Sequence, residues 1–380
     1  MTPRKNIAVL LDSSPRTWTS QEEIHLRLCR ALRARGVLPV LVYAKALQPE
    51  LEHRLVSGGA IIEVISYAKG PLHYFRELGK LIKRYDIGMA HICFFDYYSL
   101  IPWLSRLQGL KLVVFEELNS GMMQARSWKR QLLRLRTILT ALPTTRLLAI
   151  SQFIKGELVS RGINASRVIV RHLGVDEERF RPNPNIRASW STKYRIGPEE
   201  CVLSMVAVLR PFKNPDTILK ACGLLASRGI SFRLFVAGDG AMLPELKELS
   251  TNLGIERNVV WLGYCSDPKP VLQASDVFLL ASVGEAFGLV VPEAMACGVP
   301  VVGSRSGAIP ELIAHGETGL LAAPRDADSF AAAIEKLAVD TELRREMGEK
   351  ARKRVLDFFT VDRDIENTMR IYEELGAFQT

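Results

Sequence analysis

Several absences bound this chain before anything in it is read positively. It has no run of about eighteen uncharged apolar residues, so no helix is expected to span a bilayer. Its first apolar run, Ile7–Leu11, is cut off by Asp12, too short for the core of a secretory leader, and a cytoplasmic location is the expectation. The six cysteines are scattered with no Cys-x-x-Cys pair, which argues against a disulfide frame or a cysteine-ligated zinc site and for free thiols. No repeat of solenoid period and no low-complexity tract occurs. Acidic residues are scarce in one half only. Residues 1–190 carry 29 Lys and Arg against 15 Asp and Glu, a net of +14, while residues 191–380 carry 21 against 26, a net of −5. A half so basic either meets something anionic or presents a solvated face.

With 380 residues the chain exceeds the size at which one hydrophobic core usually stops growing, about 250–300 residues, so two domains are expected. Short apolar runs alternate with amphipathic segments of helix length. Ile7–Leu11, Leu38–Val42, Ile61–Ile65, Ile87–Ile92, Leu112–Phe115 and Leu147–Ile150 read as strands, with helical patterns such as Glu22–Arg35, Pro71–Arg84 and Trp128–Leu139 between them. The rhythm restarts at Val202–Val208 and continues through Arg233–Ala237, Val259–Leu262, Val277–Leu280 and Val299–Gly303. Such alternation predicts an α/β protein of two doubly wound parallel-sheet domains, each sheet covered on both faces. The stretch RFRPNPNIRAS, Arg179 to Ser189, packs two prolines and two asparagines where the rhythm breaks. The domains are therefore expected at 1–182 and 200–358, with a linker at 183–199. A last helical segment, 359–380, is expected to return to the first domain. Ligands of such sheets bind at the carboxyl ends of strands, here in the expected cleft between domains.

The most informative stretch is ASVGEAFGLVVPEAMACGVPVVGSRSGAIPELIAHGETGLL, Ala281 to Leu321. It opens at a strand end, passes through a glycine-bearing loop and enters a helix near Gly288 or Leu289. Unpaired N–H groups at a helix start suit phosphate, and Gly288 lets backbone come close to a ligand. Glu285 and Glu293, eight positions apart, can border one pocket, and Glu293 stands among apolar neighbours where an unpaired carboxylate is costly.

This segment resembles the donor-site motif of the retaining glycosyltransferases of family 4, which share the two-Rossmann-domain GT-B fold. The hallmark, a glutamate, seven residues and a second glutamate followed by a small-residue helix, stands here as Glu285-AFGLVVP-Glu293-AMACGVPVV. Flanking GDG (Gly238–Gly240), LGY (Leu262–Tyr264), SDVFLLAS and GETGLL match as well. The resemblance implies that Glu293 binds the donor ribose and that Glu285 faces the transferred sugar. It also implies that backbone at Phe287, Gly288 and Leu289 holds the diphosphate, and that Gly263 and Tyr264 frame the base. VLRPFKN supplies Lys213, and Arg210 three residues earlier, to offset charge on the leaving diphosphate. YDIGMAHICFFDYY resembles the family's strand-end histidine segment, which implies His91 at the cleft beside the sugar. The implied activity is retaining transfer from a nucleotide-diphosphate sugar, by default a UDP-sugar, to a hydroxyl on a glycan, a lipid-linked molecule or a small molecule. No separate cofactor is implied.

Three departures lie toward the acceptor side. The glycine pair usual after the first strand is missing from SSPRTWTSQEE, Glu116 stands where many members have histidine, and Leu173 replaces an asparagine before GVD. Two alternatives stay open: a nucleotide-sugar epimerase on the same fold, and an inert partner subunit of another glycosyltransferase. Asp326–Asp328 and Asp362–Asp364 imitate a metal-binding Asp-x-Asp, but both sit where helices start, so capping is the reading and no essential metal is expected. The run RSWKRQLLRLR, Arg126 to Arg136, carries five basic residues among Trp128, Leu132, Leu133 and Leu135. It is either a face for an anionic membrane or acceptor, or an ordinary helix with a solvated side. Nucleic acid is not expected as a partner.

Overall fold

The alternating pattern resolves into two wholly parallel sheets. In the first, β1 (Asn6–Leu11), β2 (Pro39–Tyr43), β3 (Ile61–Val64), β4 (Ile87–Cys93), β5 (Leu112–Glu117), β6 (Arg146–Ala149) and β7 (Val168–Val170) lie in the order β3-β2-β1-β4-β5-β6-β7. In the second, β8 (Cys201–Val206), β9 (Phe232–Ala237), β10 (Val259–Gly263), β11 (Val277–Leu280), β12 (Val301–Ser304) and β13 (Gly319–Ala322) run β10-β9-β8-β11-β12-β13. The central strands are buried on both faces, from Ile7 to Leu11 and from Val277 to Leu280, which is why they read as unbroken apolar runs. These coordinates form a computed structural model that describes residues 5–13, 15, 17–95, 99–118 and 127–378, apart from the side chains of 127–130 and 133. The chain divides into one unit of Met1–Gly174 with Val361–Thr380 and another of Val175–Thr360.

Two strands were not expected. Val168–Val170 is only three residues long, and Gly319–Ala322 opens on a glycine inside the GETGLL motif, so neither stands out as an apolar run of strand length. The expected linker at 183–199 is a further difference. Most of it is a helix, Pro184–Tyr194, that packs on the second sheet through Trp190 and Tyr194, each with its ring 4.9 Å from that of Phe235. Pro184 starts this helix instead of breaking one, because the first helical N–H has no partner to lose.

The C-terminal helix, Val361–Glu374, packs against the helix Ser20–Ala34 within the first unit. The latter opens on a capping box, with Thr19 and Glu22 satisfying each other's backbone amides. Asp364, expected as a cap, is buried instead. Its carboxylate accepts both Nε (2.5 Å) and a terminal nitrogen (2.9 Å) of Arg171, and the amide of Gly174 at 3.0 Å. Asp326 does cap, accepting the amide of Ser329 at 3.0 Å. Arg171 also pairs with Glu116, the residue that departs from the family's histidine. Removing one side of a buried pair leaves the other charge uncompensated. Arg171→Ala should therefore lower the unfolding free energy by about 3–5 kcal/mol in urea titration. An unchanged midpoint would show that the helix is held by apolar packing alone.

Candidate functional site

Loops at the carboxyl ends of four strands of the second sheet are stitched together. After β8, Leu209 N donates to Asp239 O beyond β9 (2.9 Å), and Met242 N returns to Leu209 O (3.3 Å). After β11, Val283 N donates to Phe212 O (2.8 Å), Gly284 N to the Ser306 hydroxyl (3.1 Å), and Ala308 N to Glu285 O (2.9 Å). Asn214 adds its amide to Ala281 O at 3.2 Å. Glycine is required where these loops touch. A Cβ on Gly307, whose φ is +63°, would lie 2.4 Å from Glu285 N and 2.5 Å from Glu285 O.

Within this cluster Lys213 Nζ donates to Glu285 Oε2 at 2.5 Å. The two side chains keep 16% and 12% of their surface exposed, so the pair is sheltered yet reachable. Gly288, at φ +83°, sits so close that a Cβ would meet Glu285 Cγ at 3.0 Å. The following helix is short, Val290–Ala296, and starts one or two residues later than expected. Glu293 lies in its first turn, its amide bonded to Leu289 O at 3.1 Å, and is 8% exposed.

The structure thus brings Lys213 and Glu285 together, with Glu293 and Gly288 in the same loop and helix. Phe287 differs: its side chain is core, edge-on to Phe359 with ring centroids 6.3 Å apart. Gly263 accepts the amide of Gly238 at 2.7 Å, and Tyr264 beside it is 72% exposed. Arg210 is exposed and carries no ion pair among the described residues; its carbonyl accepts the Lys213 amide at 3.0 Å. Asn214, Ser306 and Gly307 were missed by sequence reasoning. The only trace of them is a polar or glycine residue just beyond a strand end.

His91 is not at a surface. It is 2% exposed on β4, and its Nδ1 lies 2.7 Å from the hydroxyl of Tyr372 on the C-terminal helix. Burial, reinforced by Arg171 and His25, pulls its pKa well below the usual histidine range, so the ring stays neutral. Burial likewise draws His25 down to about 3. Cys93 donates to Glu116 at 3.3 Å; burial pushes its thiol up, and pushes the Glu116 carboxyl up despite Arg171. The adjoining cavity holds about 10 Å³, room for one water and none for a sugar. His91, Cys93 and Glu116 have ligand atoms within 4.8 Å of one another, but a divalent ion there would meet the guanidinium already on Glu116. The expectation that His91 borders the transferred sugar is therefore corrected: it is a core residue, covered by a helix 281 positions away in sequence.

Two family models match, one in each half: glycosyltransferase family 4 over residues 22–179, and glycosyl transferases group 1 over residues 187–354. The chain belongs to this family of glycosyltransferases, and its paired parallel-sheet units are the GT-B fold. N-acetyl-alpha-D-glucosaminyl L-malate synthase of Bacillus anthracis is 33% identical over 238 residues, 57% of this chain and 62% of that protein. D-inositol 3-phosphate glycosyltransferase of Mycobacterium marinum is 38% identical over 175 residues, 45% of this chain and 37% of its own length. The chain thus spans about half the length of the curated relatives it matches. Among solved structures, Anabaena HepE with UDP and glucose superposes with a TM-score of 0.81 at 19% identity, covering 97% of this chain and 99% of that one. Sucrose-phosphate synthase of Thermosynechococcus elongatus gives 0.78 at 18%, covering 98% and 100%.

Gly307→Ala tests how the cluster is held. The added methyl has only backbone to push against, so the Glu285 loop must shift, at a cost of about 1–3 kcal/mol in thermal or urea unfolding. Full stability in that variant would show that the loop yields freely.

Proposed function

We propose that the chain transfers a sugar from a nucleotide-diphosphate donor to a hydroxyl acceptor, with the donor on the strand-end loops of the second unit. The Lys213–Glu285 pair carries this reading. A cation and a carboxylate that satisfy each other in a reachable loop cluster suit a ligand bringing both negative charge and hydroxyls. The diphosphate draws Lys213 away, and sugar hydroxyls donate to Glu285 in its place. Glu293 accepts from the ribose hydroxyls, the amides of Phe287 to Leu289 hold phosphate oxygens, and Gly263 with Tyr264 frames the base. Arg210, exposed and without an ion pair among the described residues, turns onto the same diphosphate. A uridine nucleotide is the default, supported by the complex of Anabaena HepE with UDP-glucose.

Transfer proceeds with retention in this reading. The acceptor hydroxyl approaches the face from which the diphosphate leaves, and the leaving phosphate takes its proton. Glu285 binds and polarises, its carboxylate taken up by the sugar hydroxyls rather than serving as nucleophile. Lys213 and Arg210 offset the charge that grows on the diphosphate as the glycosidic bond breaks, with no essential metal. The acceptor, a glycan, a lipid-linked molecule or a small molecule, falls to the first unit. The six free cysteines suit a reducing cytoplasm.

A thermal-shift panel of UDP-, GDP- and ADP-sugars tests the donor. The right one, at about one hundred times its Kd, stabilises by about 2.7 kcal/mol. Silence from every nucleotide sugar would overturn the reading. NMR of the product's anomeric configuration tests retention. Glu293→Ala should weaken donor binding by about 1.5–3 kcal/mol in calorimetry, the usual worth of a charge-assisted hydrogen bond. Lys213→Ala should cost roughly 10²–10³ in turnover, with a smaller effect on donor affinity, because the charge it meets is greatest in the transition state. A variant that turned over normally would remove Lys213 from the site.

A further inference from the structure

Over its last eight residues, 134–141, the helix Ser127–Ala141 buries polar or small side chains and exposes leucines. Inward it turns Thr137, Thr140 and Ala141, none more than 8% exposed, and the Thr137 hydroxyl finds no hydrogen-bond partner among the described residues. Outward it turns Leu132, Leu135 and Leu139, followed just past its end by Leu142, exposed by 44%, 55%, 46% and 54%. Spacings of three, four and three residues line these leucines up in one stripe. The helix Ile101–Leu107 widens the patch. Its Trp103 indole donates to Leu139 O at 2.9 Å, a carbonyl left open because Pro143 has no N–H to offer, and Arg106 Nε donates to Pro143 O at 2.5 Å. Trp103 and Leu107 are 39% and 70% exposed. A surface that buries threonine and shows leucine is built to be covered.

The exposed charge that the described residues of 99–147 place on these elements is basic, since the two acids of that stretch, Glu116 and Glu117, are both buried. Lys111, Arg134 and Arg136 are exposed. We propose that this face docks on an anionic lipid surface, with the leucines and Trp103 entering the headgroup boundary and the cations lying over the headgroups. The rival apolar occupant is a second copy of the chain, but a two-fold pairing through this patch would set two cationic rims against each other. An anionic bilayer meets both the apolar stripe and the charge. No helix among the described residues is long and apolar enough to cross a membrane, so the contact is peripheral. Docking stands on the surface itself. Its corollary, an acceptor drawn from the lipid side, rests on the glycosyl-transfer reading.

The full chain is to be sedimented with vesicles of phosphatidylcholine alone and of phosphatidylcholine with phosphatidylglycerol. Binding is expected to the mixed vesicles at low salt, and to fall as added salt shortens the Debye length from about 10 Å toward 3 Å. Leu135→Ser with Leu139→Ser, and separately Lys111→Gln with Arg134→Gln, should each weaken it by roughly tenfold or more, each basic residue counting for about fivefold. These positions are exposed, so unfolding midpoints and UDP-sugar thermal shifts should match the parent. The proposal fails if the parent ignores phosphatidylglycerol at low salt, or if the leucine variant binds as well as the parent. It fails too if sedimentation equilibrium shows a dimer that the leucine variant dissolves. A parent that binds vesicles but no nucleotide sugar would sink the transfer reading and leave the docking intact.

Discussion

Arg171 lies 4% exposed between two carboxylates, Glu116 and Asp364, and the first unit depends on how well that charge is met. A guanidinium taken out of water is tolerable only when its fork is filled, and here Asp364 takes one edge while Glu116 takes another nitrogen. Asp364 also accepts the amide of Gly174, the last residue before the chain leaves this unit, and stands three residues after its return at Val361. One acid therefore fixes both ends of a long excursion. Glu116, His91 and Tyr372 follow from it, because the helix that brings Asp364 also brings the hydroxyl that the histidine needs.

The second unit holds its charges differently. Lys213 and Glu285 retain a tenth or more of their surface, against 3% and 1% for the side chains of Arg171 and Asp364. Water and solutes can compete for the first pair and not for the second. Burial decides which ion pair serves stability and which can exchange partners with a ligand. Distance does not, since Lys213 and Glu285 are as close as Arg171 and Asp364.

Much of this was legible in the residues. Strands apolar on both faces announced parallel sheets, and the stretch from Glu285 to Glu293 marked the loop where the ion pair stands. What escaped reading was long-range pairing. Nothing near His91 foretells Tyr372, and nothing near Asp364 foretells Arg171, so a core histidine resembled a site residue and a buried acid resembled a cap. Pro184 was ambiguous for a local reason: the ring that stops a helix from within is harmless at its first position. Ser306 and Gly307 matter through backbone approach, which leaves no pattern in the sequence.

The first unit is discontinuous in the chain, and this bears on its birth at the ribosome. Its opening 174 residues emerge first, yet the helix that fills the Arg171 fork lies beyond Thr360, after the whole of the second unit. At about 5–20 residues per second, the nascent sheet waits on the order of ten to forty seconds with Arg171 and His91 lacking their final partners. The second unit, continuous from Val175 to Thr360, has no such delay and can complete itself during that interval. The part of the chain made earliest is thus the part finished last.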